Sequence, residues 1–93
     1  MTGNRRGIAR AFGAALRAAR QAQGVSQDEL AERADLDRTY PSLIERGKRA
    51  PTLYMVLRLA DTLEIPPERL VTETVARLKV ADTVVSPKVS PNG

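Results

Sequence analysis

Apolar residues recur along most of this chain at helical spacing, in runs separated by residues that start and stop helices. Phe12, Leu16 and Ala19 fall at i, i+4 and i+7 and predict a first helix over residues 8–23, stopped by Gly24 and slightly weakened by Gly13. Leu30, Ala31 and Ala34 share one face of a second segment at about 27–33, and position 41 and Ile44 face inward from a third at about 38–46. Leu53, Val56, Leu57, Ala60 and Leu63 form the predicted inner face of a fourth helix capped by Thr52, with Tyr54 and Met55 in its exposed first turn. Pro66 and Pro67 open a further helix, proline being tolerated in a first turn, and Leu70 closes the core. Val71, Val75 and Leu78 repeat at i, i+4 and i+7 beyond it, and Val80 to Val85 fits strand and coil equally well. The fold class expected is all-α.

The densest information lies between Ser26 and Gly47. Ser26 followed three residues later by Glu29 is a capping box, in which each side chain takes the other residue's backbone amide. Asp35, in the turn Ala34-Asp35-Leu36, tolerates the left-handed conformation better than most residues with a side chain. Asp37 can cap the next helix, and Gly47 ends it. Two caps, a three-residue turn and matched apolar faces describe a helix-turn-helix. Pro41 complicates it, because proline supplies no amide and crowds the carbonyl four residues earlier. It also pushes Tyr40 away from helical angles. Either the first turn after Asp37 is distorted, or regular helix begins only near Pro41.

In order and spacing, LRAAR (16–20), SQDELA, LIERGKR and ADTLEIPPERL (60–70) resemble the lambda-repressor-like, Xre-type helix-turn-helix regulators. The resemblance covers about residues 9–71. It implies a compact five-helix domain that binds double-stranded DNA, usually as a homodimer, with the second helix of the motif in the major groove. It implies an ion pair between Arg20 and Glu45, and a DNA backbone contact from Gln27. At position 41 the family carries an apolar, often branched residue, so proline is a departure. The domain reading is a mobile basic arm over 1–7, the DNA-binding domain over 8–71, a C-terminal extension over 72–85 with a dimer contact, and a disordered tail over 86–93.

Composition narrows the chemistry. The 93 residues include no cysteine and no histidine, so no disulfide framework, metal site or cofactor is expected and little remains for catalysis. No apolar run approaches a membrane span or a signal peptide, and a cytoplasmic protein is expected. The net charge of +4 is unevenly spread. Residues 1–27 hold Arg5, Arg6, Arg10, Arg17 and Arg20 without an acid, and Arg46, Lys48 and Arg49 cluster at the end of the motif. Such a distribution suits a polyanion, although a basic surface alone would look the same.

On this reading Arg38, Thr39, Ser42 and Leu43 are the candidate base contacts, and Gln27, Tyr40, Lys48 and Arg49 the candidate backbone contacts. Arg38 suits bidentate pairing with guanine, with a phosphate contact as the alternative. Leu43 can touch a base or pack on a neighbouring helix, and Tyr40 can reach a phosphate or cover the core edge. Arg5 and Arg6 can meet phosphates or stay solvated. Asp28, Glu29 and Glu32 would repel DNA and are expected to face away or serve the cap. Val71, Val75 and Leu78 form either a dimer interface or a stripe folded back onto the first helix, with Tyr54 and Met55 as an alternative dimer patch. The function expected is sequence-specific regulation through duplex DNA; the alternative is a protein-interaction module, antitoxin or adaptor, on the same scaffold.

Overall fold

The computed structural model describes the backbone of residues 4–85 and the side chains of residues 4–80. Five helices follow one another: α1 (Arg5–Ala22), α2 (Gln27–Ala34), α3 (Tyr40–Glu45), α4 (Leu53–Thr62) and α5 (Pro67–Val85). No strand occurs among the described residues. The core gathers Phe12 and Leu16 of α1, Leu30 of α2, Ile44 of α3, Val56, Leu59 and Ala60 of α4, and Leu70 of α5, with Val25 and Leu63 from the connections. With so few aromatics, burial of branched aliphatic side chains supplies most of the driving force.

Local chemistry sets the boundaries. Asn4 accepts a bond from the Gly7 amide and starts α1 three residues earlier than the apolar pattern predicts. Arg5 to Gly7 are therefore helix rather than mobile arm; residues 1–3 and the tail 86–93 lie outside the described residues. The capping box is complete at α2: the Glu29 amide donates to Ser26 Oγ at 3.0 Å, and the Ser26 amide donates to Glu29 Oε1 at 2.9 Å. Val25, just before the cap, joins Leu30 in the core, which is the geometry of a hydrophobic staple. Asp35 takes φ 57, and the Leu36 amide reaches back to the Ala31 carbonyl at 2.8 Å, so the turn closes as predicted.

Two predicted faces are corrected. On α4 the inner face is Val56, Leu59 and Ala60, continued by Leu63 just past the helix end, whereas Leu53 and Leu57 are exposed; the helix is rotated so that Leu59 lies at the centre of the buried face. On α5 the buried row is Leu70, Thr74 and Leu78, because the helix runs back along α1. Leu78 is thus inside the protomer, while Val71 and Val75 are offset from that row and exposed. Thr74 hid the row from a reading of apolar positions, yet its hydroxyl is satisfied by donating to the Leu70 carbonyl at 2.7 Å. The segment 80–85, read as strand or coil, continues α5 as helix.

Candidate nucleic-acid interface

The base of the interface is one ion pair. Arg20 donates from Nε to Glu45 Oε2 at 2.6 Å and from Nη2 to Oε1 at 3.0 Å, a two-point match of fork to carboxylate. The third face of the guanidinium donates from Nη1 to the Val25 carbonyl at 2.8 Å. The bond to Glu45 raises the Arg20 pKa above its ordinary value against the opposing effect of burial. Gln27 adds a donor: its Nε2 lies 3.0 Å from Glu45 Oε1, so one of its amide hydrogens is held by the pair and the other has no bond among the described residues. The end of α1, the start of α2 and the end of α3 are thereby fixed together.

Close approach of α1 to α3 needs two glycines. A Cβ on Gly13 would fall 2.3 Å from the Ile44 carbonyl oxygen and 2.7 Å from that of Glu45. Gly47 ends α3 at φ 71, and a Cβ there would fall 2.7 Å from Arg10 Cγ. Gly13 is therefore required by packing rather than a mere weakness of α1.

At the other end, Asp37 does not cap the helix. Its carboxylate accepts from the Thr39 amide at 2.8 Å and the Thr39 hydroxyl at 2.6 Å, forming a local turn. These two bonds, the hydroxyl's first, hold the Asp37 carboxyl below its ordinary pKa. Helix begins at Tyr40, which places Pro41 in the first turn, where its missing amide has no intrahelical partner to lose. Of the two outcomes that proline allows, the late start is the one observed. Arg38 and Thr39 thus stand in the turn ahead of α3, not within it as predicted, and helix stops at Glu45 rather than at 46.

The candidate residues divide accordingly. Arg38 and Thr39 are exposed, Ser42 and Leu43 half-buried, and Tyr40 is partly buried against the core. Lys48 and Arg49 are exposed just past Gly47. Asp28 departs from expectation: instead of facing away, its carboxylate meets Arg38, with Nη2 to Oδ2 at 3.2 Å and Nε to Oδ1 at 3.4 Å. This contact has no local signature in the chain, since it depends on the turn placing Arg38 beside the start of α2. A second grouping was also missed. Arg5, Arg6, Ala9 and Arg10 of α1 and the run Arg46 to Ala50 line one open cleft of about 640 Å³.

Comparison with known proteins places this geometry. A family model described as helix-turn-helix matches residues 16–70. An uncharacterized HTH-type transcriptional regulator of Sinorhizobium fredii, y4dJ, is 36% identical over 55 residues, 59% of this chain and 71% of that protein. The restriction-modification controller protein C.AhdI from Aeromonas hydrophila is 44% identical, with a TM-score of 0.65 over 67% of this chain and 94% of that one. The clp gene regulator ClgR from Corynebacterium glutamicum is 26% identical, with a TM-score of 0.79 over 84% of this chain and 83% of that one.

Proposed function

Because the chain belongs to the lambda-repressor-like, Xre-type helix-turn-helix family of transcriptional regulators, we propose that it reads a specific duplex DNA sequence as a homodimer. The observation that carries this reading is the exposed Arg38–Thr39 pair at the head of α3, with Lys48 and Arg49 exposed beyond its other end. A major groove admits one helix, and side chains at its leading edge meet base edges. Arg38 then reads a guanine, and Thr39, Ser42 and Leu43 complete the base contacts. Tyr40, Lys48, Arg49 and the free amide hydrogen of Gln27 hold phosphates. No helix among the described residues is long and apolar enough to cross a membrane.

The homodimer reading rests on arithmetic and on surface. One short α3 covers few base pairs, and each well-read pair supplies only about 1–3 kcal/mol of discrimination. Leu53, Tyr54 and Leu57 on α4 and Val71, Val75 and Val80 on α5 are exposed large apolar side chains. A two-fold contact through these helices would cover them and leave the two copies of α3 about 34 Å apart, one turn of DNA.

The test compares two substitutions on a preferred site and on random duplex. Lys48→Ala should weaken both about equally, whereas Arg38→Ala should relax preference at one base position by about 1–3 kcal/mol. Equal loss on both DNAs with Arg38→Ala would make Arg38 a phosphate anchor. A protein that bound no duplex even at low salt would be the interaction module instead.

A further inference from the structure

We infer that the cleft between the start of α1 and the loop after α3 is a second phosphate-binding surface, which carries the DNA backbone beyond the segment touched by the helix-turn-helix itself. The inference rests on the DNA-binding reading above and extends it to residues outside the motif.

Two stretches far apart in sequence meet there. Arg5, Arg6 and Arg10 come from α1, and Arg46, Lys48 and Arg49 from the end of α3 and the loop behind it. No acidic residue lines the cleft. All six cations are exposed, and none of the three α1 arginines has an ion-pair partner among the described residues. Arg33, Arg38 and Arg58 by contrast pair with Glu29, Asp28 and Asp35; Arg17, Arg69 and Arg77 are exposed like the cleft arginines but do not line the cleft.

The position of Arg5 and Arg6 sharpens the point. They occupy the first turn of an 18-residue helix that has no acid in that turn. Cations at a helix amino terminus oppose the macrodipole, so the charge placement works against the stability of α1. An anion in the cleft reverses the sign of that interaction. The walls are also set by backbone: Gly47 brings the α3 end against Arg10, and a Cβ at Gly47 would fall 3.1 Å from the Arg10 Cα. The cleft is open and broad, suited to a strand of phosphates passing through rather than to one enclosed ion. It is continuous with Lys48 and Arg49, so one backbone path can serve both.

The experiment measures how affinity for duplex DNA depends on salt, for the full chain and for Arg5→Ala/Arg6→Ala/Arg10→Ala. Each neutralised phosphate contributes about 0.9 to the slope of log affinity against log salt, so three lost contacts should flatten it by about 2.7. The wild-type advantage should then shrink roughly 40-fold between 50 and 200 mM salt, with base preference unchanged. Alanine favours helix, and removing these cations relieves the macrodipole, so the variant should melt no lower than wild type. Arg69→Ala/Arg77→Ala, on exposed arginines outside the cleft, should leave the slope near wild type. An unchanged slope in the triple variant, or an equal effect per arginine in the control, would overturn the cleft while leaving the DNA-binding reading intact. A wild type without duplex affinity would overturn both. Tight binding of sodium triphosphate that duplex DNA does not compete away would reassign the cleft to a small polyphosphate and overturn the proposal.

Discussion

Glu45 has a side chain 2% exposed, and three N–H groups converge on its carboxylate, two from Arg20 and one from Gln27. Buried charge of this kind adds little net stability as an intact pair, but removing one partner strands the other. Arg20→Ala should therefore lower unfolding free energy by about 3–5 kcal/mol in denaturant titration. Lysine at position 20 cannot replace the two-point match and should recover only part of the loss. Glu29 gives a pH signature. The Ser26 amide, followed by the Ser26 hydroxyl and Arg33, holds its carboxyl below the ordinary range. A depressed carboxylate stabilises the fold above its unfolded pKa, and the contribution is lost as pH falls through the lower folded value. Melting temperature should accordingly drop with acid less steeply in Glu29→Gln than in wild type; parallel curves would remove Glu29 from the account. Asp28 holds Arg38 by the Nε and Nη2 edge, which leaves the remaining guanidinium edge for the proposed base contact. Asp28→Ala should raise affinity for random DNA by removing a negative charge, while weakening discrimination at the Arg38 position.

At the scale of elements, Gly13 separates two accounts of the same residue. Helix propensity alone says that Gly13→Ala gains about 1 kcal/mol. The 2.3 Å approach to the Ile44 carbonyl says that α1 and α3 must part. Crowding a packed interface costs about 1–3 kcal/mol or more, so thermal melts should show Gly13→Ala less stable than wild type despite its better helix former. The same contrast explains what could be read from the chain. Caps and turns are local, and the Ser26–Glu29 box, the left-handed Asp35 and the Gly47 stop could all be read from neighbours in sequence. Burial of Leu59 rather than Leu53 and Leu57 depends on the roll of α4 against its neighbours, which periodicity fixes only to within a turn. Thr74 concealed the buried row of α5 because its polarity is cancelled by a bond within its own helix. The Arg38–Asp28 contact and the basic cleft arise from meetings between segments 10 and about 40 residues apart and have no local signature at all.

For the whole molecule, the proposed homodimer is the feature to test. Leu78 lies inside the protomer, so the proposed dimer contact now draws on Val71 and Val75 together with the exposed apolar side chains of α4. In sedimentation, Val75→Asp should yield folded monomer, whereas Leu78→Asp should unfold the domain; a wild type that stays monomeric at high micromolar concentration would reject the dimer. Selection of bound duplexes from a random pool asks whether Arg38 and its neighbours, on the proposed paired scaffold, read sequence. The recovered site should be near-palindromic with half-sites one helical turn apart, bound about a thousandfold or more tighter than random DNA. Recovery of no preferred sequence from a protein that still binds duplex would contradict that reading.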